Sequence, residues 1–190
     1  MGLFNWLLGG QSSGPEPART CLVFVDAENS TVSPALILKT VETEFGKPRV
    51  RQAYAKWSAN PIYKNQLSQY RNAGFECITC DSGDNNADIQ LSVEAVDTMH
   101  DFGNRGKCTL IICADGDRGF AHVFDKARKL GWESVLIANE ASGTLGDLLR
   151  NSADRVISPD VSPDKPVKAE TQVTEKTGDK EQTDFQEIDR

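Results

Sequence analysis

Between Cys21 and Ile157 the sequence switches repeatedly between short apolar runs and longer stretches whose apolar positions recur at helical spacing. Cys21–Val25 is apolar throughout, the mark of a strand covered on both faces. Ser33 in the capping position and Pro34 at the first helical position open a helix that stops at Gly46. Val50–Ala55 reads as a second strand. A second helix is predicted from the Asn60 cap and Pro61, with Tyr63, Leu67 and Tyr70 as its stripe and Gly74 just beyond its end. Phe75–Cys80 follows as a third strand, and Ile89, Val93 and Val96 with Leu91, Ala95 and Met99 give a third helix its apolar face. Thr109–Cys113 is a fourth strand. Phe120, Val123, Phe124, Ala127 and Leu130 then keep the spacing of a fourth helix, which Gly131 ends. Ser134–Ala138 makes a fifth strand, Leu145–Arg150 a short helix, and Val156–Ile157 a last short strand. This alternation predicts an α/β fold, a parallel sheet of about five strands with helices on both faces.

The two ends read differently. Met1–Gly9 is an apolar cluster and Gly10–Pro17 a run of turn formers, so residues 1–19 are expected to be a flexible leader. Its apolar residues 1–9 are either adhesive side chains on an unstructured end or a docking peptide for a protein or a membrane surface. Trp6 stands where N-myristoylation requires Ser or Thr. At the other end, Pro159, Pro163 and Pro166 precede a polar run too poor in aliphatics to repay its ordering entropy. Residues 159–190 are therefore expected to be a disordered acidic tail, and 20–158 the folded domain.

Charge and cysteine content narrow the function classes. The net charge is −7, and residues 158–190 hold nine acids against five bases, so the domain itself is only mildly acidic. Binding nucleic acid by bulk charge usually takes a basic protein, whereas a small acidic site that holds cations remains compatible. No stretch approaches the roughly 20 apolar residues of a bilayer span, so no transmembrane segment is expected. The first ten residues also lack the Lys or Arg of a secretory signal. The five cysteines are then read as reduced thiols in a cytoplasmic protein.

In an open parallel sheet, ligands bind beyond the carboxyl ends of the strands, where strand order reverses. The first strand is followed by Asp26-Ala-Glu28-Asn29, the third by Asp81, Asp84 and Asp88, and the fourth by Asp115-Gly-Asp117-Arg118-Gly119. One acid at such a place is ordinarily a helix cap. Acids on several strand ends repel one another unless a cation sits among them, which makes a divalent-metal site the economical reading. All-oxygen donors suit Mg²⁺ or Mn²⁺ better than Zn²⁺. An EF-hand starting at Asp84 fails, because Ile89 and Ala95 stand where Gly and Glu are required. Cys77 and Cys80 have CxxC spacing but point to opposite faces of a strand, and His100 and His122 lie inside helices without a second His. There is no phosphate loop, no glycine in the turn after the first strand and no Gly-x-Ser-x-Gly elbow, so no nucleotide cofactor is expected.

Taken together, Phe24-Val-Asp-Ala-Glu-Asn29, Asn86-Ala-Asp-Ile-Gln-Leu-Ser-Val-Glu94 and Gly116-Asp-Arg-Gly-Phe120 resemble the NYN domain, a branch of the PIN-like nucleases. Ser152-Ala-Asp-Arg-Val-Ile157 resembles that family's last motif. The resemblance implies a Rossmann-like sheet of order 3-2-1-4-5 and a metal-dependent ribonuclease acting on RNA, single-stranded RNA in particular. It matches Asp26, Asp88 and Asp117 to the family's metal-binding acids and Asn29 to the Asn that follows the first of them. Glu94 falls where a helical Asp is common.

Strands 1 and 4 would then be neighbours about 4.8 Å apart, so that Asp26 and Asp117 share a metal with Asp88. Asp115 and Glu94 come second as metal ligands, Glu94 because it lies about 240° round the helix from Asp88. Lys56 and Arg118, each next to a strand end, are the candidates for holding phosphate. Two positions depart from the family pattern: Gly119 replaces a frequent second Asp, and Tyr54-Ala-Lys-Trp57 replaces the Tyr-x-Asp-Trp of bacterial members. The alternative these departures raise is a non-catalytic RNA-binding or regulatory module on the same fold.

Overall fold

The computed structural model describes residues 19–59, 61–80, 86–103, 107–116, 118–143 and 145–159, with backbone alone at Arg118. The leader before residue 19, the tail from residue 160, Asn60, the segment 81–85 and Asp117 lie outside the described residues.

The elements follow the expected alternation: β1 Thr20–Asp26, α1 Pro34–Phe45, β2 Val50–Ala55, α2 Pro61–Asn72, β3 Glu76–Thr79, α3 Asn86–Phe102 and β4 Cys108–Cys113. A 3-10 turn at Arg118–Phe120 leads into α4 Ala121–Lys129, then β5 Glu133–Ile137, a second 3-10 turn at Glu140–Ser142, α5 Asp147–Ser152 and β6 Arg155–Ile157. One parallel sheet results, of order β3-β2-β1-β4-β5-β6. It has six strands rather than about five, because the short apolar pair Val156–Ile157 does pair with β5, at Leu136 and Ile137.

Pleating sorts the apolar runs onto two faces. Leu22, Phe24, Leu110, Ile112 and Leu136 pack with α3 and α4 through Leu91, Ala95, Met99, Val123 and Phe124. Cys21, Val23, Val25, Ile111, Val135 and Ile137 pack with α1 through Ile37, Val41 and Phe45, and with Tyr70 of α2. Helices α1 and α2 thus cover one face and α3 and α4 the other, so the crossover direction changes between β1 and β4. The residues after β1 and β4 stand at that switch point.

The structure corrects the face assigned to α3. Leu91, Ala95 and Met99 are buried, whereas Ile89 and Val93 are 60% and 54% exposed. The two stripes are offset by two residues, about 200° of helix, and a helix lying on a sheet buries only one side.

The start and stop signals act through the backbone. Pro34 occupies the first turn of α1 as expected, while the Ser33 side chain makes no capping bond and its carbonyl accepts the Ile37 N–H at 2.9 Å. Gly46 ends the helix with φ of +81°, a conformation that a Cβ disfavours.

Below the site, Trp57 holds the β2–α2 loop. Its Nε1 donates to the Ile78 carbonyl at 2.8 Å and its ring packs on Tyr70 at 5.6 Å. Cys77 packs toward α1 and α2, and Cys80 lies in the opposite core, so the CxxC spacing does not form a metal pair.

Candidate metal centre at the carboxyl edge of the sheet

Asp26 is the last residue of β1 and is wholly buried. Its place follows from the pleat: it shares the parity of Leu22 and Phe24, whose side chains face α3. Its Oδ1 accepts the Glu28 and Asn29 N–H groups at 3.1 and 3.3 Å, and its Oδ2 accepts Asn29 Nδ2 at 2.8 Å. Asp88, half-buried in the first turn of α3, sets its carboxyl beside that of Asp26. Burial pushes the Asp26 pKa up; the hydrogen bonds donated by Asn29 and the Glu28 N–H pull the other way and do not cancel it. Two carboxyl groups in contact, one of them desolvated, make a hard oxygen donor set that a divalent cation fits, because its charge offsets both their repulsion and the cost of burial. The N-terminal turn of α3 adds favourable dipole at Asp88.

The structure therefore brings Asp26, Asp88 and Asn29 together. Asp117 lies outside the described residues, and of Arg118 only the backbone is described. Among the described residues no group of three or more His, Cys, Asp or Glu is placed to hold a metal ion. Glu94 is exposed on α3, and its charge is felt at Tyr54.

Asp115, the second-rank candidate after β4, is held by donors of its own. It is 6% exposed, its Oδ1 accepts the Asn139 N–H at 2.7 Å, and its Oδ2 accepts the Thr31 N–H at 2.6 Å and the Thr31 hydroxyl.

Around the pair, Lys56 is half-buried at the end of β2, its N–H donating to Glu28 Oε1 at 2.7 Å. Cys80 marks the field of the site: burial raises its thiol, the Glu28 and Asp26 charges add to that, Lys56 opposes them, and the pKa is pushed up to about 11. Tyr63, on the first turn of α2, is raised by burial and then by Glu28 and Asp26.

Sequence reasoning placed Glu28 in the first motif without a role and took Tyr63 only as part of an apolar stripe. It missed Thr31 and Asn139 altogether. Asn139 directly follows the expected strand Ser134–Ala138 and lies two residues beyond β5, so extending the inspection of strand ends to the fifth strand is the signal that finds it.

The NYN domain model matches residues 20–162. The chain belongs to the NYN domain family. Membership places this NYN domain in the PIN-like nuclease superfamily. A crystal structure of a protein of unknown function from Vibrio parahaemolyticus is similar in fold. Its TM-score is 0.61 at 15% identity, over 76% of this chain and 94% of that one. A ketoreductase domain from the bacillaene assembly line gives a TM-score of 0.38 at 14% identity, over 73% of this chain and 38% of that one, and carries no argument. No curated protein matches the chain. Among the described residues, no helix of this NYN domain is long and apolar enough to cross a membrane.

Proposed function

We propose that this NYN domain is a divalent-metal-dependent endoribonuclease that hydrolyses phosphodiester bonds in single-stranded RNA. The observation that carries the reading is the contact between the Asp88 carboxyl and the wholly buried Asp26 carboxyl at the switch point of the sheet. Asp26 and Asp88, with Asp117 from the segment after β4, would hold Mg²⁺ or Mn²⁺, which when bound supplies Lewis-acid polarisation of the phosphate and a water of lowered pKa. Asn29 fixes both oxygens of Asp26, so that carboxyl meets its load without rotating. Lys56 lies at the end of β2 beside these acids, suited to holding a phosphate, and Arg118 is the second candidate for that contact. The sheet on one side and α3 on the other keep solvent from Asp26 and strengthen each electrostatic contact there. Five cysteines present as thiols, four of them buried, support a reducing cytoplasmic location.

The test is cleavage of an unstructured RNA by the full chain with Mn²⁺ or Mg²⁺. The reading predicts cleavage that EDTA stops and that Asp26→Asn or Asp88→Asn reduces at least about a hundredfold, the scale expected when the charge stabilising the reaction is lost. Cleavage that survives EDTA, or equal rates in wild type and Asp26→Asn, contradicts it. Binding of RNA without cleavage by any of the proteins selects the non-catalytic module.

A further inference from the structure

A second set of contacts sits just behind the acid pair and is not used by it. Asp115 lies two residues beyond β4, and its two oxygens receive three donors: the Asn139 N–H at 2.7 Å, the Thr31 N–H at 2.6 Å and the Thr31 hydroxyl. A carboxylate offers about four acceptor positions, so three are already taken. Asn139 Nδ2 donates to Thr31 Oγ1 at 3.1 Å, which leaves that hydroxyl's own proton for Asp115 and fixes its direction. The Asp115 N–H in turn donates to the Asn29 carbonyl at 3.2 Å. One nearly buried residue therefore grips the β1–α1 loop at Asn29 and at Thr31, and ties it to the end of β5. Asn29 is the residue whose side chain reaches Asp26 Oδ2 at 2.8 Å and whose N–H reaches Asp26 Oδ1 at 3.3 Å.

We infer that Asp115 is a positioning residue which, through Thr31 and Asn139, locks the β1–α1 loop so that Asn29 presents the Asp26 carboxyl in its metal-binding orientation. The inference rests on the metal-site reading for its consequence and on the hydrogen bonds alone for its geometry. An amide at position 115 cannot serve, because its NH₂ would meet an N–H or O–H donor where an acceptor is required. Glu28 braces the other flank of the same loop by accepting the Lys56 N–H, so the loop is held from both neighbouring strands. Contacts of this kind behind a metal ligand are commonly worth tenfold or more in affinity.

The experiment uses the full-length, ¹⁵N-labelled chain. It records the Asn29 side-chain amide resonance and its exchange rate without metal, then Mn²⁺ affinity by calorimetry well below the melting temperature. The variants are Asp115→Asn, Thr31→Val, Thr31→Ser, Asn29→Ala and Asp115→Asn combined with Asn29→Ala.

The expected result is a displaced, faster-exchanging Asn29 amide in Asp115→Asn and Thr31→Val, with Mn²⁺ affinity about tenfold weaker. Thr31→Ser keeps the hydroxyl and stays close to wild type. The double variant is no worse than Asn29→Ala, because both changes act on one link.

Melting lowered in Asp115→Asn with the Asn29 amide and Mn²⁺ affinity unchanged overturns the inference and leaves a plain structural brace. Independent, multiplying effects of Asp115→Asn and Asn29→Ala also overturn it. Should Asp115→Asn fail to fold, the Thr31→Val and Thr31→Ser pair decides the same question. A wild type that binds no Mn²⁺ removes the metal-site reading, while the Asn29 amide still judges the positioning.

Discussion

Asp154 shows how much the partners of a carboxylate decide its work. It accepts the Ser134 N–H at 2.9 Å and the Ser134 hydroxyl at 2.8 Å, and Arg128 Nε reaches its other oxygen at 3.4 Å. Partial burial opposes its charged form, but Ser134 and Arg128 together outweigh that and the pKa is lowered from 3.8. A depressed native pKa means the unfolded chain takes up its proton first. The stabilisation is thus complete above the unfolded value of 3.8 and is lost as pH falls through the native one. Asp154→Ala should cost about 1 kcal/mol at neutral pH, the scale of such hydrogen bonds at a part-exposed site, and less at about pH 3, below the unfolded value. Urea unfolding of both proteins at the two pH values measures this.

Asp26, Asp115 and Asp154 belong to one residue type with three roles: a buried carboxyl facing Asp88, a loop clamp, and a clip between β5 and the turn before β6. The strand-end acids were legible because spacing alone puts them at the edge of the sheet. The difference between Asp26 and Asp115 was not, since it depends on how many donors converge on each carboxyl. Thr31 was invisible for the same reason, since its value lies in the direction of one N–H and one hydroxyl, whereas Asn139 was legible by its place beyond the fifth strand but not by its role.

At the level of elements, α3 is the clearest case of a pattern with two readings. Its apolar residues form two stripes, and the sequence does not say which one meets the sheet. Packing decides for Leu91, Ala95 and Met99, which interdigitate with Leu22, Phe24 and Leu110, and leaves Ile89 and Val93 outside. Leu91→Ala should lose about 2–5 kcal/mol, by lost transfer energy and the cavity left behind. Val93→Ala should stay within about 0.5 kcal/mol of wild type. Chemical denaturation of the two variants distinguishes the stripes; equal losses would mean that Val93 is covered in solution. The helix ends were better marked than the helix faces, because Pro34 and Gly46 act through backbone geometry that needs no tertiary partner.

In the whole molecule, the continuous apolar runs of β1, β4 and β5 and the strand-helix alternation suffice for a parallel sheet with two covered faces. The strand order came through the NYN resemblance, and β6 was hard to count because its apolar content is the single pair Val156–Ile157. The sheet then does for function what local sequence cannot: it carries Asp26 to the switch point and sets the start of α3 against it, residues far apart along the chain.

A divalent cation held at this meeting is measurable by calorimetric titration of Mn²⁺ into the full chain and its Asp26→Asn variant. Saturable binding is expected in wild type, with affinity at least about tenfold weaker in Asp26→Asn, whose amide no longer supplies the charge that binding needs. Equal Mn²⁺ binding in the two proteins, or none in wild type up to millimolar concentration, would contradict it.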